Sequence, residues 1–287
     1  MHRPAIHPAR MLRSAVTPAG FALRALTAAL ALTASITAAS ATTGGAGGMC
    51  SATSPAHRAA LIELYTSEGC SSCPPADDWL GRLGAAANPQ MIVPLALHVT
   101  YWDSHAWRDR FSDDRFDARQ REQSHRAGAH FVYTPQVLVS GESLTDWSSR
   151  TSFEQRVKAI VVQPSPVDIT LALSRSPIDA SMLDVEATIH PSASLPSSAR
   201  TVIALYENRL SSSVAGGENE GQSLHHDYVV RQWLDPVPVG SGATLKRQFR
   251  LTGDLASAPA STLGVVAFVE DAQTGEVLQV ARVAMCE

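Results

Sequence analysis

The chain has 287 residues, 45% of them hydrophobic and 17% charged, which supports a real core and excludes a mostly disordered polymer. The net charge of −4 is unevenly spread: Arg3, Arg10, Arg13 and Arg24 all precede the first acidic residue, Glu63. Without that basic segment 19 basic residues face 27 acidic ones, a net of −8, which argues against nucleic acid or an anionic membrane surface as a partner.

Residues 1–41 read as an export signal. Arg10 and Arg13 form a basic start, residues 21–41 (FALRALTAALALTASITAASA) an apolar stretch, and Ala39-Ser40-Ala41 a small-residue exit. Arg24 and the scattered Thr and Ser leave no unbroken run of about 18 apolar residues, which argues against a membrane anchor. No later segment is long and apolar enough to span a bilayer. The expectation is therefore a protein exported to a periplasm or secreted, with no membrane insertion after signal cleavage and with disulfides permitted.

Residues 42–58 are expected to be a linker. From 59 to 165, strand-like and helix-like segments alternate: a strand at 61–66, a helix at 76–83 with Pro74 and Pro75 in its first turn, and a buried strand at 91–99. A polar helix at 112–127, a strand at 135–139 and an amphipathic helix at 153–162 follow. Arg115, Arg119, Arg121 and Arg126 are expected on a solvated face of that polar helix. Such alternation predicts an α/β sheet. After Gln163-Pro164-Ser165-Pro166 the period changes to two. Strands are expected at 167–173, 183–189, 201–206, 228–233, 244–251, 263–269 and 276–283. Residues 166–287 therefore read as an all-β, antiparallel sandwich. The stretch 211–222 reads as a mobile loop, and His225-His226 as loop surface.

The four cysteines carry the sharpest signal. Cys70-Ser71-Ser72-Cys73 lies where the first strand feeds a helix, which is a redox geometry. A helix N-terminus offers free N–H groups and partial positive charge, and both favour the thiolate that performs disulfide exchange. Two other readings stand beside it: a structural bridge, or half of a metal site completed by histidines such as His98, His105, His125 or His130. Tyr133-Thr134-Pro135 precedes a strand about 60 residues later. After a strand–CxxC–helix unit this resembles the cis-proline loop of the thioredoxin superfamily, in which the backbone of Thr134 would meet an extended thiol substrate.

The stretches 61–77 (LIELYTSEGCSSCPPAD), 98–107 (HVTYWDSHAW), 133–141 (YTPQVLVSG) and 264–280 (GVVAFVEDAQTGEVLQV) resemble the DUF1223 family. The resemblance implies an exported, thioredoxin-like protein of unknown function, and so a thioredoxin-like α/β domain followed by the sandwich. Thr100 departs from the family's pattern, which has Asp there. Relative to true thioredoxins, Gly69 replaces Trp and Ser71-Ser72 replaces Gly-Pro.

These readings give an expected site. Cys70 would attack a protein or small-molecule disulfide, Cys73 would resolve the mixed disulfide, and Thr134 and Pro135 would position the substrate. Glu63, a lone carboxylate in an apolar strand, would either accept a proton from Cys73 or serve as a strand-edge or hydrogen-bonded structural group. Tyr101, Trp102, Asp103, Trp107 and His98 lie at or just beyond a strand's C-terminal end and would line a substrate groove. With Cys70 paired to Cys73, Cys50 would be joined to Cys286. No cofactor or resident metal is assigned, and nothing indicates an oligomeric state. The competing functions are a non-enzymatic binding protein with a permanent bridge, and metal handling.

Overall fold

The computed structural model describes residues 48–286, which fall within one unit, Thr43–Glu287. The expected export signal lies outside the described residues. Strand β1 (Cys50–Thr53) forms inside the expected linker. Then come β2 (Ala60–Thr66), α1 (Pro74–Ala86), β3 (Ile92–His98), α2 (Asp114–Arg126), β4 (Gln136–Val139), β5 (Glu142–Ser143) and α3 (Arg150–Val161). The second half is built from β6 (Val167–Arg175), β7 (Met182–Pro191), β8 (Ala199–Glu207), β9 (Leu210–Ser213), β10 (Ser223–His226), β11 (Val229–Trp233), β12 (Val237–Pro238), β13 (Ala243–Arg250), β14 (Leu263–Asp271) and β15 (Val277–Ala284). Among the described residues no helix is long and apolar enough to cross a membrane.

The sheet topology overturns the expected fold class, a thioredoxin-like α/β domain followed by a separate antiparallel sandwich. The structure is mostly β, and one nine-stranded sheet runs through both halves of the chain in the order β15-β14-β8-β11-β3-β2-β4-β5, with β12 paired to β8. The join is the parallel pairing of β11 with β3, where Val229 stands opposite Ala96. β2 and β3 are parallel from Ala60↔Ile92 to Thr66↔His98, whereas β4 runs antiparallel to β2. A second sheet, β1-β6-β7-β13, packs against the far half of the first.

Side-chain alternation explains why the sheet does not stop at the expected boundary. In β8, Val202, Ala204 and Tyr206 join the core shared with the helices, while Ile203 and Leu205 join the core beneath the four-stranded sheet. β14 divides the same way, with Val266 and Phe268 on one side and Val265, Ala267 and Val269 on the other. Strands buried on both faces read as continuous apolar runs and belong in the middle of a sheet.

Charge is also built into this core. Arg119 of α2 is buried, not solvated as expected. Its Nε donates to Glu63 at 2.6 Å, and its guanidinium reaches Glu270 of β14 at 3.0 Å. The helix thus ties together strands from the two halves of the chain. Cys50 and Cys286 form a disulfide across a sequence separation of 236.

Candidate functional site

Strand β2 ends at Thr66, and the chain turns through Ser67–Cys73 into α1. Cys70 and Cys73 form a disulfide across this turn. The N–H of Cys73 donates to the carbonyl of Cys70 at 3.1 Å, and Cys73 is the N-cap of α1. Pro74 and Pro75 occupy the first helical turn, where a missing N–H costs nothing. They also remove two of the free N–H groups expected beside the sulfurs, leaving the helix dipole as the backbone's contribution. A local donor stands in their place: the Ser72 hydroxyl lies 3.3 Å from Cys70 Sγ. Gly69 permits a close approach here: a Cβ would come within 3.1 Å of Trp102, tight enough that the neighbour would have to give slightly.

Several predicted residues meet at this turn. The Thr134–Pro135 peptide is cis, and the Thr134 carbonyl accepts from Ser72 Oγ at 3.5 Å. Trp102 Nε1 donates to Thr134 Oγ1 at 2.7 Å, so the loop after β3 braces the loop before β4. Trp107 Nε1 donates to Glu68 Oε2 at 3.2 Å. Tyr101 and Asp103 are engaged elsewhere. The Tyr101 hydroxyl donates to Gln120, and the Asp103 carboxylate accepts from Asp109 N and Ser112 Oγ.

Glu63 is not beside the disulfide. Successive side chains of a strand point to opposite faces. Thr66 bonds Asp77 of α1, whereas Glu63 and Tyr65 face Arg119 of α2. One helical turn on from Cys73 is Asp77, whose N–H donates to the Cys73 carbonyl at 3.1 Å and whose carboxyl accepts from Thr66 Oγ1 at 3.0 Å. Burial pushes the Asp77 carboxyl up to about 7, against the opposing pull of His226 and the Thr66 hydrogen bond.

His98, predicted for the groove, is fully buried at the end of β3. Its Nδ1 lies 2.7 Å from Asp109 Oδ2. Burial alone would raise the Asp109 carboxyl. The His98 charge and hydrogen bond and the N–H groups of Glu68 and Phe111 outweigh it and hold Asp109 below its ordinary value. His226 is buried against this cluster, its ring centroid 4.9 Å from that of His98. Both histidines belong to strand β10 and not to a loop, and only His225 is on the surface. β10 alternates exposed and buried residues, and packing against α1 turns His226 inward.

The expected groove is filled by residues 214–222, which connect β9 to β10 and are held down by hydrogen bonds. Asn219 Nδ2 donates to the carbonyls of Glu68 and Cys70, both at 2.9 Å. Glu218 accepts from the N–H and hydroxyl of Ser71, at 3.0 and 2.7 Å. Gly216 sits so close to Ala106 that a Cβ would come within 2.3 Å of its carbonyl oxygen. Both sulfur-bearing residues are fully buried under this cover. A Gly- and Glu-rich stretch reads locally as loop, and no signal within one sequence joins it to a turn some 150 residues earlier.

The family model described as a protein of unknown function, DUF1223, matches residues 61–270. The chain belongs to the DUF1223 family. No match is found among curated proteins. Two solved structures are similar to this DUF1223 chain. A structural-genomics protein of Agrobacterium tumefaciens shares 21% identity over 79% of this chain and 95% of that one, with a TM-score of 0.56. HBP35 of Porphyromonas gingivalis shares 15% identity over 81% of this chain and 76% of that one, with a TM-score of 0.60. At these identities the likeness is one of fold.

Proposed function

We propose that this DUF1223 protein is exported and that Cys70–Cys73 exchanges disulfides with a protein or small-molecule thiol. The observation that carries the reading is the placement of the pair: two cysteines separated by two residues, at the N-terminus of α1, with the Ser72 hydroxyl 3.3 Å from Cys70 Sγ. In the reduced form, the Cys70 thiolate attacks a substrate disulfide and releases one substrate thiolate. The Cys73 thiolate then attacks Cys70 Sγ and releases the second. The substrate gains two electrons and the protein regains its bridge; the reverse sequence oxidises a substrate dithiol. Thr134 and Pro135 flank the reacting sulfurs, and Trp102 and Trp107 brace the surrounding turn.

The two disulfides support an oxidising compartment, in keeping with the basic, apolar N-terminus. Cys73→Ser tests the chemistry, because it blocks resolution and leaves Cys70 free to hold a mixed disulfide. The expected result is a covalent adduct with disulfide-bonded peptides or oxidised glutathione, absent in Cys70→Ser. A folded Cys73→Ser protein that forms no adduct contradicts exchange.

One observation favours a second reading. The complete burial of both cysteines suits a permanent bridge in a non-enzymatic binding protein. Exchange requires residues 214–222 to lift, so the two readings part on how fast that cover opens.

A further inference from the structure

Beside the disulfide turn, four buried side chains leave polar atoms without a hydrogen-bond partner: His98 Nε2, both ring nitrogens of His226, Asp77 Oδ1 and Glu68 Oε1. Native interiors pair nearly all such atoms, so five in one place need a shared explanation. Donor atoms of Asp77, His98 and His226 all lie within 4.8 Å of one another.

Each imidazole has a carboxylate behind it. Asp109 Oδ2 lies 2.7 Å from His98 Nδ1 and also accepts the N–H of Glu68. Asp109 thus holds a proton on His98 Nδ1, so that the imidazole in its metal-binding, neutral form presents the Nε2 lone pair. Glu68 Oε1 lies 3.3 Å from His226 Nε2, close but not aligned as a hydrogen bond, while its other oxygen accepts from Trp107. A proton on that Nε2 leaves Nδ1 as the lone pair, 4.0 Å from Asp77 Oδ2. A carboxylate behind the imidazole is how proteins orient histidines toward a metal. Glu68, Asp77 and Asp109 also bring three carboxyl groups together in the interior, whose charged forms a divalent cation would stabilise.

The geometry points to a binding site for a divalent transition-metal ion of the zinc type, held by His98 Nε2, His226 Nδ1 and a carboxylate oxygen of Asp77. Two imidazoles and one carboxylate suit such an ion, whereas calcium and magnesium take oxygen ligands. Ligands about 2.1 Å from a tetrahedral ion lie about 3.4 Å apart, so side-chain shifts of about 1–1.5 Å close the set. The fourth position belongs to water. The site uses no sulfur and is independent of the exchange reading.

Cobalt(II) titration of the full-length protein tests the site, with chelator removed beforehand and Cys70–Cys73 kept oxidised so that no thiol contributes. The expected result is one Co2+ per chain with visible d–d absorption, displaced by Zn2+, and a higher Tm with Zn2+. His226→Gln and Asp77→Asn are each expected to weaken Co2+ binding at least tenfold. His225→Gln, at the exposed neighbour, leaves it unchanged. Should either site variant fail to fold, the stoichiometry and spectrum of the wild-type protein decide. Folded, oxidised wild-type protein that takes up neither Co2+ nor Zn2+ overturns the site, as does Co2+ binding that survives His226→Gln intact.

Discussion

The side-chain amide of Asn219 donates to the carbonyl oxygen of Cys70 at 2.9 Å, across 149 residues of sequence. With Glu218 on Ser71, this contact holds the cover over the disulfide. Each such bond contributes about 1 kcal/mol net, and more where a charged group takes part. Asn219→Ala combined with Glu218→Ala is therefore expected to speed reduction of Cys70–Cys73 by dithiothreitol about tenfold or more. The rate is read by thiol alkylation and mass spectrometry. An unchanged rate means that these contacts do not limit access.

Arg119 is the cation between Glu63 and Glu270, all three being buried. Removing it leaves Glu63 uncompensated in the interior and Glu270 with Arg200 alone. Arg119→Met is expected to lower unfolding stability by about 3–5 kcal/mol, measured by urea denaturation. A loss below about 1 kcal/mol would mean that water reaches the carboxylates.

Acid should weaken the same junction. Burial alone would raise the Glu270 carboxyl, but the charges and hydrogen bonds of Arg119 and then Arg200 hold it below its ordinary value of 4.5. A carboxyl depressed by folding contributes stability that is fully present above its unfolded value and is lost as pH falls through the folded one. Glu270→Gln is expected to be less stable than wild type at pH 7 and to lose less stability from there down to about pH 3. Equal acid slopes for the two proteins in urea titrations contradict this assignment.

The Cys50–Cys286 bridge closes nearly the whole described chain. Chain entropy gives a loop of that length an upper bound of about 5 kcal/mol. The double substitution Cys50→Ser with Cys286→Ser is expected to reduce stability toward that bound while leaving Cys70–Cys73 oxidised. Urea unfolding monitored by circular dichroism provides the measurement.

The local features were legible in the sequence, and the long-range ones were not. Period-two and period-3.6 patterns located most strands and helices, because burial of one face imposes them. Cys70-x-x-Cys73 before a helix and Thr134-Pro135 before a strand were visible as short motifs, and the structure brings them together. The fusion of the two halves was hidden. Apolar runs such as that of β14 show that a strand is buried on both faces, not which strands lie beside it. Arg119 looked like one of four arginines on a polar helix, since a lone buried cation shows no pattern until its carboxylates are placed. His226 and Asn219 escaped for the same reason: each reaches the site from the second half of the chain by tertiary contact. A lone carboxylate in an apolar strand is compatible with a structural hydrogen bonder or a proton acceptor, and only the placement of Arg119 shows which partner Glu63 meets.

The reduction potential of Cys70–Cys73 tests the central claim most directly. The full-length protein is equilibrated with defined glutathione or dithiothreitol couples, and the redox state of this pair is read by alkylation and peptide mapping. An exchange centre is expected to equilibrate at a potential between about −120 and −270 mV, the range of known dithiol oxidoreductases. A potential below about −300 mV, or a bridge that never equilibrates while the protein is folded, contradicts exchange and leaves Cys70–Cys73 as a structural bond.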